Sequence, residues 1–344
     1  MEARLVRDAG YPIQRLVLRS LRSVERDVHL VLDPIRLGLS VPQAVVMLAR
    51  WRPAAIFTTG GYVAIPVLIA ARLLGIPVLL WEGNVVPGRS VRATARLASV
   101  VAVSFEPTCA ALAAKVCYIT GTPIRDTAAV DRLAARERFG LAADDRLMLI
   151  FGGSQAVERF SHAIAEALPR LVETCRVLHV TGDAGYAEAL AARERLPEAS
   201  RDRYRPEPFL REGMLDALAA ADLVVGRAGS STLAEVAAFG LPMVVVPYRY
   251  AGGHQRANAE VMAAAGAARL VEDEAFDAAA LLGAAALLDD SRTHAGMAAA
   301  ARGLSRPGAA DAVADLVLAL ATRSPLPSPE AIARRSAAPA GAAG

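Results

Sequence analysis

Short apolar runs alternate with longer helical stretches along most of the chain. Residues 28–32, 55–58, 78–81, 100–104 and 116–119 read as strands, with a helix over 42–50 between the first two. The rhythm returns at 147–151, 176–181, 223–225, 243–246 and 268–271. These runs are predominantly apolar, the pattern of strands buried on both faces, and the helical stretches between them argue for parallel sheets. At 344 residues the chain is long for one hydrophobic core. The expectation is therefore an α/β protein with two doubly wound, Rossmann-like domains facing across a cleft. The boundary is expected near Asp126–Asp131, giving domains over 1–127 and 128–308, with a helix over about 309–322 packing back on the first. From Ser324 onward Pro, Ala, Ser and Arg dominate without apolar periodicity, so 324–344 is expected to be disordered. The opening region, with Leu5, Val6 and 13–18, reads as helix to strand and lacks the strand and Gly-rich turn that usually begin such a domain.

Ligands of these sheets sit at the carboxyl ends of strands, and the polar junctions of this chain fall there. The strand 223–225 leads through Arg227 into Ala228-Gly229-Ser230-Ser231-Thr232 and then a helix carrying Glu235. Free amide groups and the positive end of a helix dipole meet at such a turn and favour an anion. A carboxylate further along the helix is placed to accept hydrogen bonds from ribose hydroxyls. Together they predict a nucleotide-diphosphate cradle. Gly152-Gly153-Ser154-Gln155 after the strand 147–151 repeats the same physics, and Gly121-Thr122-Pro123-Ile124-Arg125 offers a guanidinium to a diphosphate. Thr59-Gly60-Gly61-Tyr62, Trp81-Glu82-Gly83-Asn84 and the segment 252–259, with His254, Gln255 and Asn258, are further junctions. Gln255 has an amide suited to sugar hydroxyls. Taken singly, each junction also fits an ordinary turn, and Arg125 an ordinary surface ion pair.

Composition narrows the setting. Hydrophobic residues make up 54% and mean hydropathy is +0.34, yet no apolar run reaches the ~18–20 residues of a membrane span. The nearest, 64–81, is broken by Pro66, Arg72, Gly75 and Pro77, and reads as helix, turn and buried strand. Glu2, Arg4 and Arg7 argue against a secretory signal, so a soluble cytoplasmic protein is expected. Cys109, Cys117 and Cys175 have neither framework nor zinc spacing and are expected to be reduced core residues. The acidic groups 144–145, 272–274 and 289–290 read as solvated caps, and no metal or cofactor is expected. No Ser–His–Asp order or P-loop lysine is present. Net charge is +3, but residues 1–106 hold 13 Arg against 7 acids. That bias fits either a solvated surface or a basic half facing an anionic partner.

In their order and spacing, six of these motifs resemble the MurG family of N-acetylglucosaminyltransferases. They are 60–63, 82–84, 121–125, 152–155, 227–235 and 254–259, and the resemblance runs from Glu2 to about Leu320. It implies the GT-B fold and inverting transfer of GlcNAc from UDP-GlcNAc to the muramoyl 4-hydroxyl of lipid I. The product, lipid II, serves peptidoglycan synthesis and hence cell shape and division. By the same resemblance Glu235 binds the ribose, the backbone of Ser230, Ser231 and Thr232 holds the diphosphate with Ser154 and Arg125, and Leu233 and Ala234 belong to the UDP-GlcNAc site. Leu210 meets uracil through its backbone, and Asn84 and Gln255 meet the GlcNAc ring. Gly153, Arg227, Gly229, His254 and Asn258 line the same site. The implied partners are UDP-GlcNAc, lipid I and the anionic inner leaflet, with no nucleic acid, at the cytoplasmic face of the bacterial plasma membrane. The basic, apolar stretch 35–51, with Arg36, Arg50 and Arg52, suits that surface. Trp81 and Gly83 depart from the His and Gln of the family motif. The family's opening Gly-Gly-Thr-Gly-Gly-His loop, with its catalytic histidine, falls ahead of Met1, as expected of a late start or a truncation; the base is unassigned. Competing expectations are another GT-B enzyme, such as a glycolipid glycosyltransferase or UDP-GlcNAc epimerase, or a non-catalytic UDP-sugar-binding module.

Overall fold

The computed structural model describes residues 6–18, 29–112, 114–152, 157–210, 213–249, 253–339 and 341. The chain divides into two compact units. The first comprises Met1–Glu82, Pro87–Ile119 and Ala314–Pro329; the second comprises Gly83–Val86, Thr120–Val313 and Glu330–Gly344. The main division thus lies between Ile119 and Thr120, a few residues ahead of the sequence-based boundary.

In the first unit, α1 (His29–Trp51), β1 (Ile56–Thr58), α2 (Ala64–Leu74), β2 (Val78–Glu82), α3 (Arg89–Thr94), β3 (Val100–Val103), α4 (Glu106–Ala111) and β4 (Cys117–Ile119) follow in order. The four strands pair in parallel in the order β1-β2-β3-β4. Every residue of β3 is buried, as its unbroken apolar run requires. Ser40, Ala44 and Leu48 recur every four residues on α1 and are buried. The stretch 64–81 is the helix, turn and strand expected, with Gly75 closing α2 at φ +68°. Two expectations fail here. His29 to Leu32 lie in α1, not in a strand (Val28 is outside the described residues). A short, largely apolar run fits either element, and the helical spacing from Ser40 onward decides it. Cys109 and Cys117 are joined as a disulfide, their Cα atoms 6.0 Å apart, because the turn after α4 returns the chain beside it. Cys175 is a buried free thiol, as expected.

The second unit runs through α5 (Arg132–Arg138), β5 (Leu147–Phe151), α6 (Val157–Thr174), β6 (Arg176–Val180), α7 (Gly182–Glu194), β7 (Tyr204–Glu207), α8 (Met214–Ala220), β8 (Leu223–Gly226) and α9 (Ser230–Ala238). It continues with β9 (Met243–Val245), α10 (His254–Ala264), β10 (Ala268–Leu270), α11 (Ala278–Ala285), α12 (Ser291–Leu304), α13 (Ala309–Thr322) and α14 (Pro329–Ala337). The last residues of α13 fall in the first unit. Six parallel strands take the order β10-β9-β8-β5-β6-β7. Met148 and Ile150 face one apolar layer with Phe160, Ile164, Leu168 and Leu171 of α6. Leu147 and Leu149 face the other, with Leu233, Val236 and Met262. Each such fully buried aliphatic side chain contributes about 1.5–3 kcal/mol.

The order reverses between β5 and β8, which are hydrogen-bonded neighbours. Such a switch point opens a crevice at the strand carboxyl ends. Gly226 makes the pairing possible, since a Cβ there would stand 2.8 Å from the Phe151 carbonyl oxygen. The chain beyond Ser324 is not the disordered tail expected. α14 carries Ile332 and Ser336, both buried, and Gly308 donates its N–H to the Ser336 carbonyl at 3.0 Å. An apolar anchor, this backbone bond and an Arg335–Asp311 ion pair at 3.3 Å help order a segment whose composition lacks periodicity.

Candidate functional site

The loop leaving β8 ends at Gly229, the N-cap of α9, in extended conformation with φ −67° and ψ 139°. No side chain caps this helix. The contrast within the same unit is informative. Asp131, Asp277 and Asp290 each accept a hydrogen bond from the first turn of α5, α11 and α12. At α9 and α10 the N-caps are Gly229 and Gly253, and neither end receives a side chain, as is also the case at α7 and α8. The amides of Ser230, Ser231 and Thr232 therefore lack intrahelical acceptors, and the half-buried to exposed positions of these residues leave them open to an anion. Leu233 is buried, so only its backbone faces that end, and Ala234 is half-buried.

Glu235 follows about 7.5 Å along the axis from Ser230. Its Oε1 accepts from Arg125 Nη2 at 3.1 Å, and its Oε2 has no partner among the described residues. The Arg125 side chain is 49% exposed and that of Glu235 16%. A pair this open is worth at most about 1 kcal/mol. Arg125 can thus leave the carboxylate for a diphosphate at small cost, while Oε2 stays ready for hydroxyl donors.

Asn258, one turn into α10, is wholly buried and fully committed. Its Oδ1 accepts from Val85 N at 2.9 Å, and its Nδ2 donates to Asn84 Oδ1 at 3.0 Å and to the Ala228 carbonyl at 3.1 Å. One helical turn earlier, His254 Nδ1 lies 2.7 Å from the Val86 carbonyl oxygen. Two side chains spaced i, i+4 on one face of α10 therefore fix the 83–86 segment, and the same asparagine ties it to the turn before α9. Gln255 accepts from Tyr248 N at 2.9 Å through Oε1, leaving its amide NH2 uncommitted among the described residues.

Four sequence-derived positions are placed separately. Arg227 is buried, with Nη1 2.5 Å from Asp273 Oδ1 and 3.2 Å from the Val246 carbonyl. Its guanidinium lies 4.9 Å from the Phe160 ring centre and 5.3 Å from that of Tyr248. It braces the ends of β8 and β9 beneath the surface. Asp273 is consequently a buried counter-ion and not a solvated cap, because a guanidinium sunk at the sheet end needs one. Leu210 is half-buried and packs into the α8 side of the core. Gly153 and Ser154 lie outside the described residues. The pairing of Asn258 with Val85, Ala228 and Asn84 was beyond sequence reasoning, since it joins positions 30 to 174 residues apart.

Comparison with known proteins gives this arrangement a context. Residues 1–103 match the model of the glycosyltransferase family 28 N-terminal domain, and residues 147–315 that of the family 28 C-terminal domain. A UDP-N-acetylglucosamine--N-acetylmuramyl-(pentapeptide) pyrophosphoryl-undecaprenol N-acetylglucosamine transferase from Methylococcus capsulatus is 37% identical, over 92% of this chain and 87% of its own. Its counterpart from Roseiflexus sp. is 36% identical, over 94% and 82%. Among solved structures, Acinetobacter baumannii MurG superposes with a TM-score of 0.69 at 29% identity, covering 92% of this chain and 87% of that one. A UDP-GlcNAc 2-epimerase from Neisseria meningitidis, solved with UDP-GlcNAc, reaches 0.59 at 13% identity, a likeness of fold alone. The two parallel sheets are those of the GT-B glycosyltransferases. The chain belongs to glycosyltransferase family 28 and, within it, to the MurG transferases.

Proposed function

We propose that the chain transfers GlcNAc from UDP-GlcNAc to the muramoyl 4-hydroxyl of lipid I, with inversion, to give lipid II. Kinship with the MurG transferases at 36–37% identity favours this reaction over that of the epimerase, which shares only the fold. The observation that carries the donor site is the uncapped start of α9 at the β5/β8 switch point, with the free Oε2 of Glu235 further along the same helix.

In this reading the ribose hydroxyls donate to Glu235 and the diphosphate accepts from the amides of residues 230–232. Arg125 moves from Glu235 to a diphosphate oxygen. The acceptor hydroxyl attacks the anomeric carbon as the bond to the diphosphate oxygen breaks, and UDP leaves carrying the electron pair. Charge growing on that oxygen meets fixed amide dipoles and a guanidinium, stabilisation that needs no reorganisation during the reaction. Asn258 acts by positioning, since its polar atoms are all engaged within the protein. Gln255 turns its uncommitted NH2 to the sugar, and Asn84 borders the same pocket.

The chain works, on this reading, at the cytoplasmic face of the plasma membrane as a peripheral protein. No helix among the described residues is long and apolar enough to cross a membrane. α1 exposes Leu39, Val46 and Trp51 beside Arg50, with Arg52 following, an apolar and basic face suited to an anionic leaflet. The test of the reaction is turnover of labelled UDP-GlcNAc with a lipid I analogue. Formation of the β-linked disaccharide product supports it, and release of free sugar or 2-epimerisation without transfer overturns it.

A further inference from the structure

We propose that Arg125 is a selectivity latch on the donor site: it opposes a nucleoside that arrives alone and favours one that brings a diphosphate. Resting on the donor-site reading, the latch adds to it a discrimination between ligands that share the same base and ribose. Arg125 and Glu235 both belong to the second unit. The segment 120–127 has a fixed stem and a free end. Thr120 and Thr122 are buried, and Gly121, at φ +78°, packs so closely that a Cβ there would stand 2.6 Å from the Arg306 Cβ. Arg125 itself is exposed. Its guanidinium pairs not with adjacent Asp126, whose Oδ1 accepts from Ala128 N at 2.9 Å, but with Glu235, 110 positions away. No other ion pair or hydrogen bond engages either of the two side chains among the described residues.

The pair occupies Oε1 of Glu235 and leaves Oε2 open. The two hydroxyls of a ribose donate one hydrogen bond to each carboxylate oxygen, so a full grip on the sugar requires Oε1 as well. A nucleoside must therefore displace Arg125 and send its guanidinium into solvent. The penalty is bounded, because an ion pair this open holds back affinity by at most about fivefold. A diphosphate changes the sign. It offers the displaced guanidinium an anionic partner in fork geometry, a stronger bond than the one-point contact with Glu235. The same side chain thus weakens uridine and strengthens UDP. A simple phosphate ligand would leave uridine unaffected, and a purely structural ion pair would not distinguish the two.

Ligand-observed NMR titrations of the full chain give dissociation constants for uridine and UDP in the parent, Arg125→Ala, Glu235→Gln and the double variant. Arg125→Ala should tighten uridine about two- to fivefold and loosen UDP at least ~10-fold. In the Glu235→Gln background no carboxylate remains to hold the guanidinium, so adding Arg125→Ala should leave uridine unchanged and still loosen UDP. Sodium chloride gives a check without substitution at Glu235. Screening of the pair should tighten uridine in the parent as salt rises and have no effect in Arg125→Ala. If Arg125→Ala weakens uridine or leaves it unchanged while Glu235→Gln weakens UDP, the latch is overturned and the donor site stands. If Glu235→Gln leaves UDP affinity unmoved, the donor-site reading falls and the latch falls with it.

Discussion

Asn258→Ala is the most demanding single perturbation of the site, because this one side chain joins three backbone segments. Truncation deletes the bonds from the Val85 N–H, to the Ala228 carbonyl and to Asn84. A buried polar group left unpaired costs about 1–3 kcal/mol. Ala228 is wholly buried, whereas Val85 is half-buried and within reach of water. Two such losses, the second partly relieved, give a destabilisation of about 2–4 kcal/mol. Because Ala228 adjoins the N-cap of α9, donor affinity should fall in parallel, by at least ~10-fold if 1.4 kcal/mol of the loss reaches the cradle. Asn258→Asp is the informative control. It keeps an acceptor for Val85 N but sets a carboxylate against the Ala228 and Asn84 oxygens, so it should be no better than alanine. Urea unfolding and calorimetry with UDP-GlcNAc on the same preparations give both quantities. An alanine variant within ~0.5 kcal/mol of the parent, binding the donor with unchanged affinity, would refute the positioning argument.

Three further outcomes are expected. Burial pushes the His179 imidazole down from 6.5 to about 3, and its Nδ1 lies 2.9 Å from the Tyr204 hydroxyl. The unfolded chain therefore takes up this proton below about 6.5 and the folded chain only near 3, so its share of stability is complete above pH 6.5 and drains away as pH falls towards 3. Between pH 7 and pH 5 urea unfolding should register a loss about 2 kcal/mol larger for the parent than for His179→Gln; parallel losses would contradict the buried neutral imidazole. Arg227→Leu removes the guanidinium paired with buried Asp273 and should cost about 3–5 kcal/mol, whereas an equally stable variant would mean that the guanidinium is no brace. Paired Leu39→Glu and Val46→Glu changes on α1 should release the chain from phosphatidylglycerol vesicles in sedimentation while leaving its far-UV circular dichroism intact, and retained vesicle binding would remove that face from the membrane contact.

Much of the fold was legible because parallel strands buried on both faces announce themselves as unbroken apolar runs. Leu147–Phe151 and Val100–Val103 are examples. β7 escaped because Tyr-Arg-Pro-Glu has one aliphatic-free apolar anchor, Tyr204, and sits at the sheet edge where Pro206 is tolerated. α14 escaped because its order depends on contacts with Gly308 and Asp311, distant in sequence. The disulfide escaped for a similar reason, as an eight-residue separation carries no pairing signal until the turn after α4 is known. In the site, local chemistry read well: the small-residue turn before α9 and the carboxylate of Glu235 belong to one continuous stretch. What side chains do to one another did not. Arg227, placed by resemblance among the residues lining the donor site, is a buried partner of Asp273. The hub at Asn258 depends on chain segments that no local pattern connects.

The account turns on whether the α9 carboxylate grips the donor's ribose. Titration calorimetry of the parent and of Glu235→Ala with UDP-GlcNAc measures that grip directly. Loss of hydrogen bonds to a charged acceptor should weaken binding roughly 10- to 150-fold, equivalent to about 1.5–3 kcal/mol. Equal dissociation constants for the two proteins would contradict the assignment.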